Sequence, residues 1–127
     1  MEYAKLGKSG IEVSRLCVGC MSFGRPSEDF HEWTLNPNET EEIVKKALDL
    51  GINFFDTANT YSHGTSEEYL GRALKKNIAR NKVVIGTKVY FNEGHLSKEA
   101  VRREIDGSLK RLGTDYVDLY IIHRFDY

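Results

Sequence analysis

Three titratable residues follow short apolar runs of this sequence, each at a point where a strand is expected to end. Asp56 comes after "INFF", Lys88 after "VVIGT" and His123 after "DLYII". The carboxyl ends of parallel strands meet at one edge of a sheet, with neighbouring strands about 4.8 Å apart. We therefore expect these side chains to converge. Tyr61, five residues after Asp56, lies in the loop that leads to the same edge.

Together these four residue types can donate a proton to a carbonyl oxygen. A free tyrosine has a pKa of about 10, and a nearby ammonium lowers that pKa by favouring the phenolate. A carboxylate keeps the ammonium charged and oriented, while a histidine orients the substrate oxygen or shares the proton. Each residue taken singly has a plainer interpretation, such as a turn cap or a solvated charge. Their conjunction on successive strands favours general acid catalysis.

The elements that must position these residues alternate regularly along the chain. A hairpin is predicted over residues 1–15, where "YAKLG" and "IEVSR" flank a turn, and β/α units over residues 16–127. The predicted core strands are Arg15–Gly19, Asn53–Phe55, Lys82–Lys88 and Val117–His123. Strands that alternate with helices indicate a parallel sheet with right-handed crossovers. The whole chain is interpreted as a single domain.

Helices are predicted between these strands from their end signals. The first begins at Pro37 and ends at Gly51, and the third begins at Ser97 and ends at Gly113, since glycine is favoured just past a helix. The second begins with the sequence T-x-x-E, residues 65–68, which is typical of a capping box.

Two architectures fit this order, and hydrophobic periodicity does not choose between them. One is a small open, doubly wound sheet, and the other is the first half of a (β/α)8 barrel. A dinucleotide fold of the Rossmann type is disfavoured because the chain has no G-x-G-x-x-G fingerprint.

Composition excludes several classes of function. The 18 basic and 19 acidic residues are mixed along the chain, with a net charge of -1, so no basic patch for nucleic acid is expected. No apolar run reaches the roughly 18 residues that a membrane span needs, and "MEYAKLGKSG" has no signal core. A cytoplasmic protein is therefore expected. No metal site is expected, because H-E-x-x-H and similar ligand clusters are absent from the sequence.

Two cysteines form a C-x-x-C pattern in "RLCVGCM". Positions three apart on a strand point to opposite faces, and no second C-x-x-C completes a zinc site. We therefore predict that Cys17 and Cys20 are unpaired, buried or half-buried thiols.

Several long stretches resemble the aldo-keto reductase family. "INFFDTANTYSHGTSEEYLGRAL" is similar to the family signature D-T-A-x-x-Y-x-x-G-x-S-E-x-x-L-G-x-A-L. "VVIGTKV" resembles the family's lysine strand, "DYVDLYIIHRFD" its histidine strand, and "YAKLGKSGIEVSRLCVGCMSFG" its hairpin and first strand. The resemblance extends over essentially the whole chain. One departure near the site is Ser62, where many members have glycine.

The resemblance implies an α/β fold, the amino-terminal half of a TIM (β/α)8 barrel, with four parallel strands alternating with helices after a β-hairpin. It implies an NAD(P)H-dependent oxidoreductase that reduces aldehydes and ketones to alcohols, with NADPH as the family's cofactor. The motifs themselves choose neither between NADPH and NADH nor among small-molecule carbonyl substrates. Carried over by position, Tyr61 is the proton donor, Lys88 activates it, Asp56 pairs with Lys88, and His123 orients the carbonyl.

Further residues are implied at the cofactor and substrate. Cys20 and Met21 fall where the family's backbone lines the nicotinamide ribose, beside Asp56, and Trp33 lies in a loop that can wall the substrate pocket. Such barrels run to about 250 residues or more, so we expect activity to require the remaining strands. Open barrel edges predict self-association. The alternative is a non-catalytic half-barrel that binds or scaffolds.

Overall fold

The computed structural model describes residues 1–127 as a β-hairpin followed by four parallel strands that alternate with three helices. The hairpin pairs β1 (Tyr3–Lys5) with β2 (Glu12–Ser14). The sheet has the order β3 (Val18–Gly19), β4 (Phe54–Asp56), β5 (Val84–Val89) and β6 (Leu119–Ile122). The helices are α1 (Pro37–Asp49), α2 (Thr65–Asn77) and α3 (Lys98–Leu112). The predicted order of elements is confirmed.

Each strand begins one to three residues later than predicted, and β4 and β5 also end one residue later, so Asp56 is the last residue of β4 while Lys88 lies within β5, as expected. Asn53, just before β4, binds the hairpin: its Oδ1 accepts from the Ser14 N–H at 2.7 Å and its own N–H donates to Ser14 Oγ at 3.1 Å. Lys82 ends a short 3₁₀ turn, Arg80–Lys82, before β5 starts. The register places Asp56 opposite Gly86, two residues before Lys88 on the same face of the sheet.

The hydrophobic core lies between the other face of the sheet and the helices. Phe55 of β4 and Ile85 of β5 point into it, each almost fully buried. The remaining members come from the helices and their flanking loops: Cys20, Phe23, Val44, Ala47, Leu70, Ala73, Leu74, Val83 and Leu112. Burying one such aliphatic or aromatic side chain contributes about 1.5–3 kcal/mol. Alternation along the strands therefore directs Phe55 into the core and its neighbour Asp56 to the opposite face.

Helix ends follow the sequence signals in two cases out of three. Asn36 forms a capping box at the start of α1, where its Oδ1 accepts from the Glu39 N–H at 2.9 Å and Glu39 Oε1 accepts from the Asn36 N–H at 3.1 Å. Ser97 caps α3, which ends at left-handed Gly113. Of the apolar residues in and just after α1, Val44 and Ala47 are buried, while Ile43 and Leu50 are exposed.

The capping box predicted at Thr65 is wrong. Gly64 occupies the N-cap position, and Thr65 is already helical. The Thr65 hydroxyl donates to the Ser62 carbonyl at 2.7 Å and accepts from the Arg25 N–H at 2.8 Å. The hydroxyl therefore joins the loop of Ser62 to the loop of Arg25. Arg25 is distant in sequence, so this contact depends on the tertiary fold.

The hairpin closes the end of the sheet where β4 begins. Tyr3 donates its hydroxyl to the Gly51 carbonyl at 2.6 Å, just ahead of β4. The carboxyl ends of the strands are thus left free of the hairpin. No helix in the structure is long and apolar enough to cross a membrane.

The two cysteines are free, as predicted, and Cys20 is fully buried. Cys17 is exposed, so the prediction of a buried or half-buried thiol is wrong for this residue. The first core strand is shorter than predicted and begins at Val18, because Arg15 is held by the hairpin through its N–H bond to the Glu2 carbonyl at 2.9 Å. Cys17 therefore lies outside the pleated strand on which the prediction depended.

Two glycines test how closely α2 and α3 approach. A methyl group on Gly71 of α2 would overlap the Leu112 carbonyl of α3, whereas one on Gly107 of α3 would meet only the flexible end of Arg111. We expect Gly71→Ala to lower the free energy of unfolding by about 1–3 kcal/mol through overpacking. Gly107→Ala should leave it unchanged or raise it by up to about 1 kcal/mol through helix propensity. Urea unfolding measures both, and equal effects would contradict the packing described.

Candidate active site

The Lys88 ammonium joins three groups at the carboxyl end of the sheet. Its Nζ lies 2.9 Å from Asp56 Oδ2, donates to Tyr61 Oη at 3.1 Å and donates to the Thr57 carbonyl at 2.8 Å. A lysine ammonium has three hydrogens, so each has an acceptor. The Lys88 side chain is only 13% exposed, and the Asp56 side chain is 33% exposed. The pairing therefore compensates a charge that is largely removed from water.

Tyr61 reaches Lys88 because the chain reverses immediately after it. Ser62, His63 and Gly64 all have positive φ, at 48°, 55° and 91°. This left-handed turn brings the Tyr61 ring back over the sheet, with Lys88 Nζ 4.7 Å from the ring centroid. Ser62 is buried and its hydroxyl has no hydrogen-bond partner. Ser62 thus places a Cβ in a left-handed conformation that favours glycine, which strains the turn.

His123 lies edge-on to Tyr61, with ring centroids 5.7 Å apart and an interplanar angle of 89°. Its main-chain N–H donates to the Val89 carbonyl at 3.1 Å, which carries the end of β6 onto β5. Burial is the main cause that lowers the pKa of His123 from 6.5; the Lys88 charge also lowers it, and Asp56 opposes the shift. His123 is therefore neutral at neutral pH. One ring nitrogen, Nδ1, is buried without a partner.

A chain of buried hydroxyls lies behind Asp56. Ser66 Oγ donates to the Cys20 carbonyl at 2.6 Å and lies 2.9 Å from Thr57 Oγ1, which donates to it. The Cys20 N–H donates to the Asp56 carbonyl at 2.8 Å. Both main-chain polar groups of Cys20 are therefore used within the fold, and burial raises the pKa of its thiol. Met21, the next residue, is exposed.

Trp33 is separated from Tyr61 by two other rings. It is 56% exposed and stacks on His31 at 4.4 Å. His31 meets Phe30 edge-on at 4.2 Å, and Phe30 lies 6.4 Å from Tyr61, all measured between ring centroids. Within this loop, Phe30 is therefore the ring next to Tyr61, and Trp33 lies farther from Tyr61, beyond His31.

Phe91 is a site residue that sequence reasoning missed. Its ring packs edge-on against His123, with the ring centroids 5.0 Å apart, and the residue is 44% exposed. The available signal was its place three residues after Lys88, in a loop at the carboxyl end of a strand, where ligand contacts concentrate. The site therefore presents a phenol and a neutral imidazole in an aromatic surround. No group of three or more His, Cys, Asp or Glu side chains is placed to hold a metal ion.

The strain at Ser62 is testable by substitution with glycine. A left-handed residue costs about 1–2 kcal/mol, of which glycine's greater chain entropy offsets about 0.5–1 kcal/mol. Ser62→Gly should therefore raise the free energy of unfolding by about 1 kcal/mol, measured by urea. Thr60→Gly is the matched control, since Thr60 has an ordinary φ of -86° and should lose stability. Stabilisation by both variants would contradict strain as the cause.

The chain is similar to known proteins over nearly its whole length. The aldo/keto reductase family matches residues 15–127. Versiconal hemiacetal acetate reductase of Aspergillus parasiticus is 43% identical, over 99% of this chain and 43% of its own length. The thermostable aldo-keto reductase Tm1743, crystallised with the inhibitor epalrestat, superposes with a TM-score of 0.83 at 35% identity, over 99% of this chain and 44% of that one.

A further solved structure contains a nicotinamide cofactor. The aldo-keto reductase of Klebsiella pneumoniae in complex with NADPH superposes with a TM-score of 0.75 at 30% identity, over 93% of this chain and 38% of that one. The chain thus spans less than half the length of each of these relatives, and its four parallel strands form a partial barrel of their kind. The family match over nearly the whole sequence shows that this chain belongs to the aldo/keto reductase family.

Proposed function

We propose that this chain supplies the proton-donating residues of an oxidoreductase that reduces aldehydes and ketones to alcohols with NADPH. The observation that carries the proposal is the hydrogen bond of 3.1 Å between Lys88 Nζ and Tyr61 Oη, with Asp56 paired to the same ammonium at 2.9 Å. Family membership supports the reaction class, and the complex of the Klebsiella pneumoniae relative with NADPH supports the cofactor.

In this proposal Tyr61 is the general acid. Its phenolic proton passes from Oη to the substrate's carbonyl oxygen as that oxygen gains negative charge. The phenolate left behind lies beside the Lys88 ammonium, which is already oriented by Asp56 and the Thr57 carbonyl and stabilises the new charge without rearrangement. The three Lys88 hydrogens are directed at Asp56, the Thr57 carbonyl and Tyr61 Oη, so the hydroxyl hydrogen of Tyr61 is the one left free to be donated to a substrate.

His123 is proposed to hold the substrate. Its lowered pKa keeps the imidazole neutral, so one ring nitrogen can donate to the carbonyl oxygen without competing with Tyr61 as an acid. Phe30 and Phe91 flank Tyr61 and His123, and Trp33 extends the aromatic surface outward. Such a surround suits an apolar or aromatic carbonyl compound. It also lowers the local polarity, which strengthens the hydrogen bond from the donor.

The residues at the end of β3 and β4 fit a nicotinamide nucleoside. Asp56 Oδ2 is taken by Lys88, but Oδ1 has no partner and the side chain is one-third exposed, so Asp56 can accept from a ribose hydroxyl. Cys20 and Met21 lie at the adjacent strand end, where Cys20 provides a buried anchor and Met21 an exposed surface. When bound, the reduced nicotinamide supplies a hydride to the carbonyl carbon.

The sheet edges provide a second part of the proposal. Within the described residues, β3 pairs only with β4 and β6 only with β5, so each has one unpaired edge, and Ile122 on β6 is exposed. Unpaired edges favour pairing with further strands. We propose that such strands come from the remainder of a longer chain or from a second copy.

Sedimentation velocity of the 127-residue chain tests the second of these sources. Self-association should give species larger than a monomer of 14.5 kDa, in proportions that rise with concentration. A homogeneous monomer at every concentration would contradict pairing between copies.

The assigned role of Tyr61 is tested by removing one oxygen. Tyr61→Phe should lower kcat for an aromatic aldehyde by about 10²–10⁴-fold, the usual contribution of a positioned general acid. The assay follows NADPH oxidation by absorbance, with this chain alone and with the chain joined to the carboxyl-terminal strands of a relative. Tyr69→Phe is the matched control. Tyr69 lies on α2, so this variant should reduce the aldehyde at the wild-type rate. Undiminished turnover in Tyr61→Phe would overturn the role.

A further inference from the structure

Asn59, two residues before Tyr61, joins the loop after β4 to the loop and helix after β5. It is buried, with 8% exposure. Its side-chain Nδ2 donates to Asn92 Oδ1 at 3.0 Å and to Glu104 Oε1 at 2.8 Å, and its main-chain N–H donates to the Lys88 carbonyl at 3.2 Å. Asn59 therefore links the loop that carries Tyr61 to the loop after β5, to α3 and to the strand that carries Lys88.

The orientation of these amides follows from their partners. Both acceptors of Asn59 Nδ2 are oxygens, so a reversed amide would place its oxygen against two others. Asn92 is held in turn, because its Oδ1 also accepts from the Tyr90 N–H at 3.1 Å and its Nδ2 donates to the carbonyls of Glu93 and His95. Asn59 thus supplies two donors that nothing else in the network replaces. Its own Oδ1 is buried without a partner.

The loop that Asn92 organises carries the aromatic side of the site. Phe91 packs on His123 at 5.0 Å, and Tyr90 packs edge-on against Phe91 at 5.0 Å and stacks on His95 at 4.5 Å, between ring centroids. The bond from Asn59 to Asn92 is the only side-chain hydrogen bond between residues 57–64 and residues 90–97. It therefore sets how far the Phe91 loop stands from the Tyr61 loop.

We propose that Asn59 is a positioning residue that fixes the width of the opening between Tyr61 and Phe91, and so the size of the carbonyl compound that reaches the phenol. This rests on the proposed function. Asn59 touches neither the phenol nor the ammonium through its side chain. It acts by tying the loop of Tyr61 to Asn92 and to Glu104 on α3, so that Phe91 stays against His123.

The test reverses the donors of Asn59. Asn59→Asp places a carboxylate against Glu104 and Asn92 Oδ1, which repel it and push the two loops apart. The readout is the His123 imidazole signal in NMR spectra of the 127-residue chain, since the facing Phe91 ring shifts it. In Asn59→Asp that signal should move toward its position in Phe91→Ala. The pKa of His123 should rise toward 6.5 in the uncharged variant Asn59→Ala, where no new carboxylate acts on the imidazole, because burial is the main cause of its lowering.

A matched variant and a rescue separate positioning from general stability. Glu104→Gln retains an oxygen that accepts from Asn59, so the His123 signal should stay in place. Combined with Asn59→Asp, Glu104→Gln removes the facing negative charge and provides a donor. The His123 signal of the double variant should therefore move partway back to its wild-type position. Asn59→Ala, which adds no charge, gives a smaller change in the same direction and serves if Asn59→Asp does not fold.

Two outcomes overturn the proposal. One is a folded Asn59 variant whose His123 signal and pKa match the wild type. The other is a loss of unfolding stability with no change at His123, which would make Asn59 merely structural. Because this readout needs no turnover, it is independent of Tyr61→Phe. In an active assembly, Asn59→Ala should change kcat/KM for bulky aldehydes relative to small ones, and an unchanged ratio would contradict a role in substrate size.

Discussion

The pairing of one largely buried ammonium with three oxygens is the constraint on which this site depends. Lys88 is mostly removed from water, and a buried charge is tolerated only where partners replace its hydration. Those partners are a carboxylate on β4, a carbonyl after β4 and the phenol of the following loop. Each is in place only when β4 and β5 are paired in their observed register. The strand pairing of the sheet and the electrostatics of the site are therefore one structural requirement.

A second charged group supports the same strand from its other face. Thr87, next to Lys88, donates its hydroxyl to Glu67 Oε2 at 2.7 Å, and Arg111 of α3 donates to Glu67 Oε1 at 2.7 Å. The Glu67 side chain is fully buried, yet both of its oxygens are bonded. Breaking such a satisfied pair would leave an uncompensated charge in the interior. The helices α2 and α3 are thereby held to β5 directly beneath the lysine, which gives the site a rigid base.

The loops above this base are less relaxed than the sheet. Ser62 and His63 adopt left-handed conformations that cost energy for residues with a Cβ, and the Ser62 hydroxyl is buried without a partner. Strain of this kind persists where surrounding structure over-determines it. Here the Thr65 hydroxyl bonds two loops, because it donates to the Ser62 carbonyl and accepts from the Arg25 N–H. This turn directs the Tyr61 ring toward Lys88, whereas a turn with ordinary φ values would direct the ring elsewhere.

The sequence by itself determined the alternation of elements, the family and the convergence of Asp56, Tyr61 and Lys88, because these follow from local periodicity, turn residues and strand-end positions. It also located the ends of α1 and α3, whose signals are contained in a few adjacent residues. Tertiary structure decided the hydroxyl contacts of Thr65, the exposure of Cys17, the separation of Trp33 from Tyr61 and the contact of Phe91 with His123. Each of these depends on partners brought together by packing rather than on neighbouring residues, as when Arg25 meets Thr65 across 40 positions. Local patterns specify which backbone elements form, whereas only the packed chain specifies which distant side chains meet.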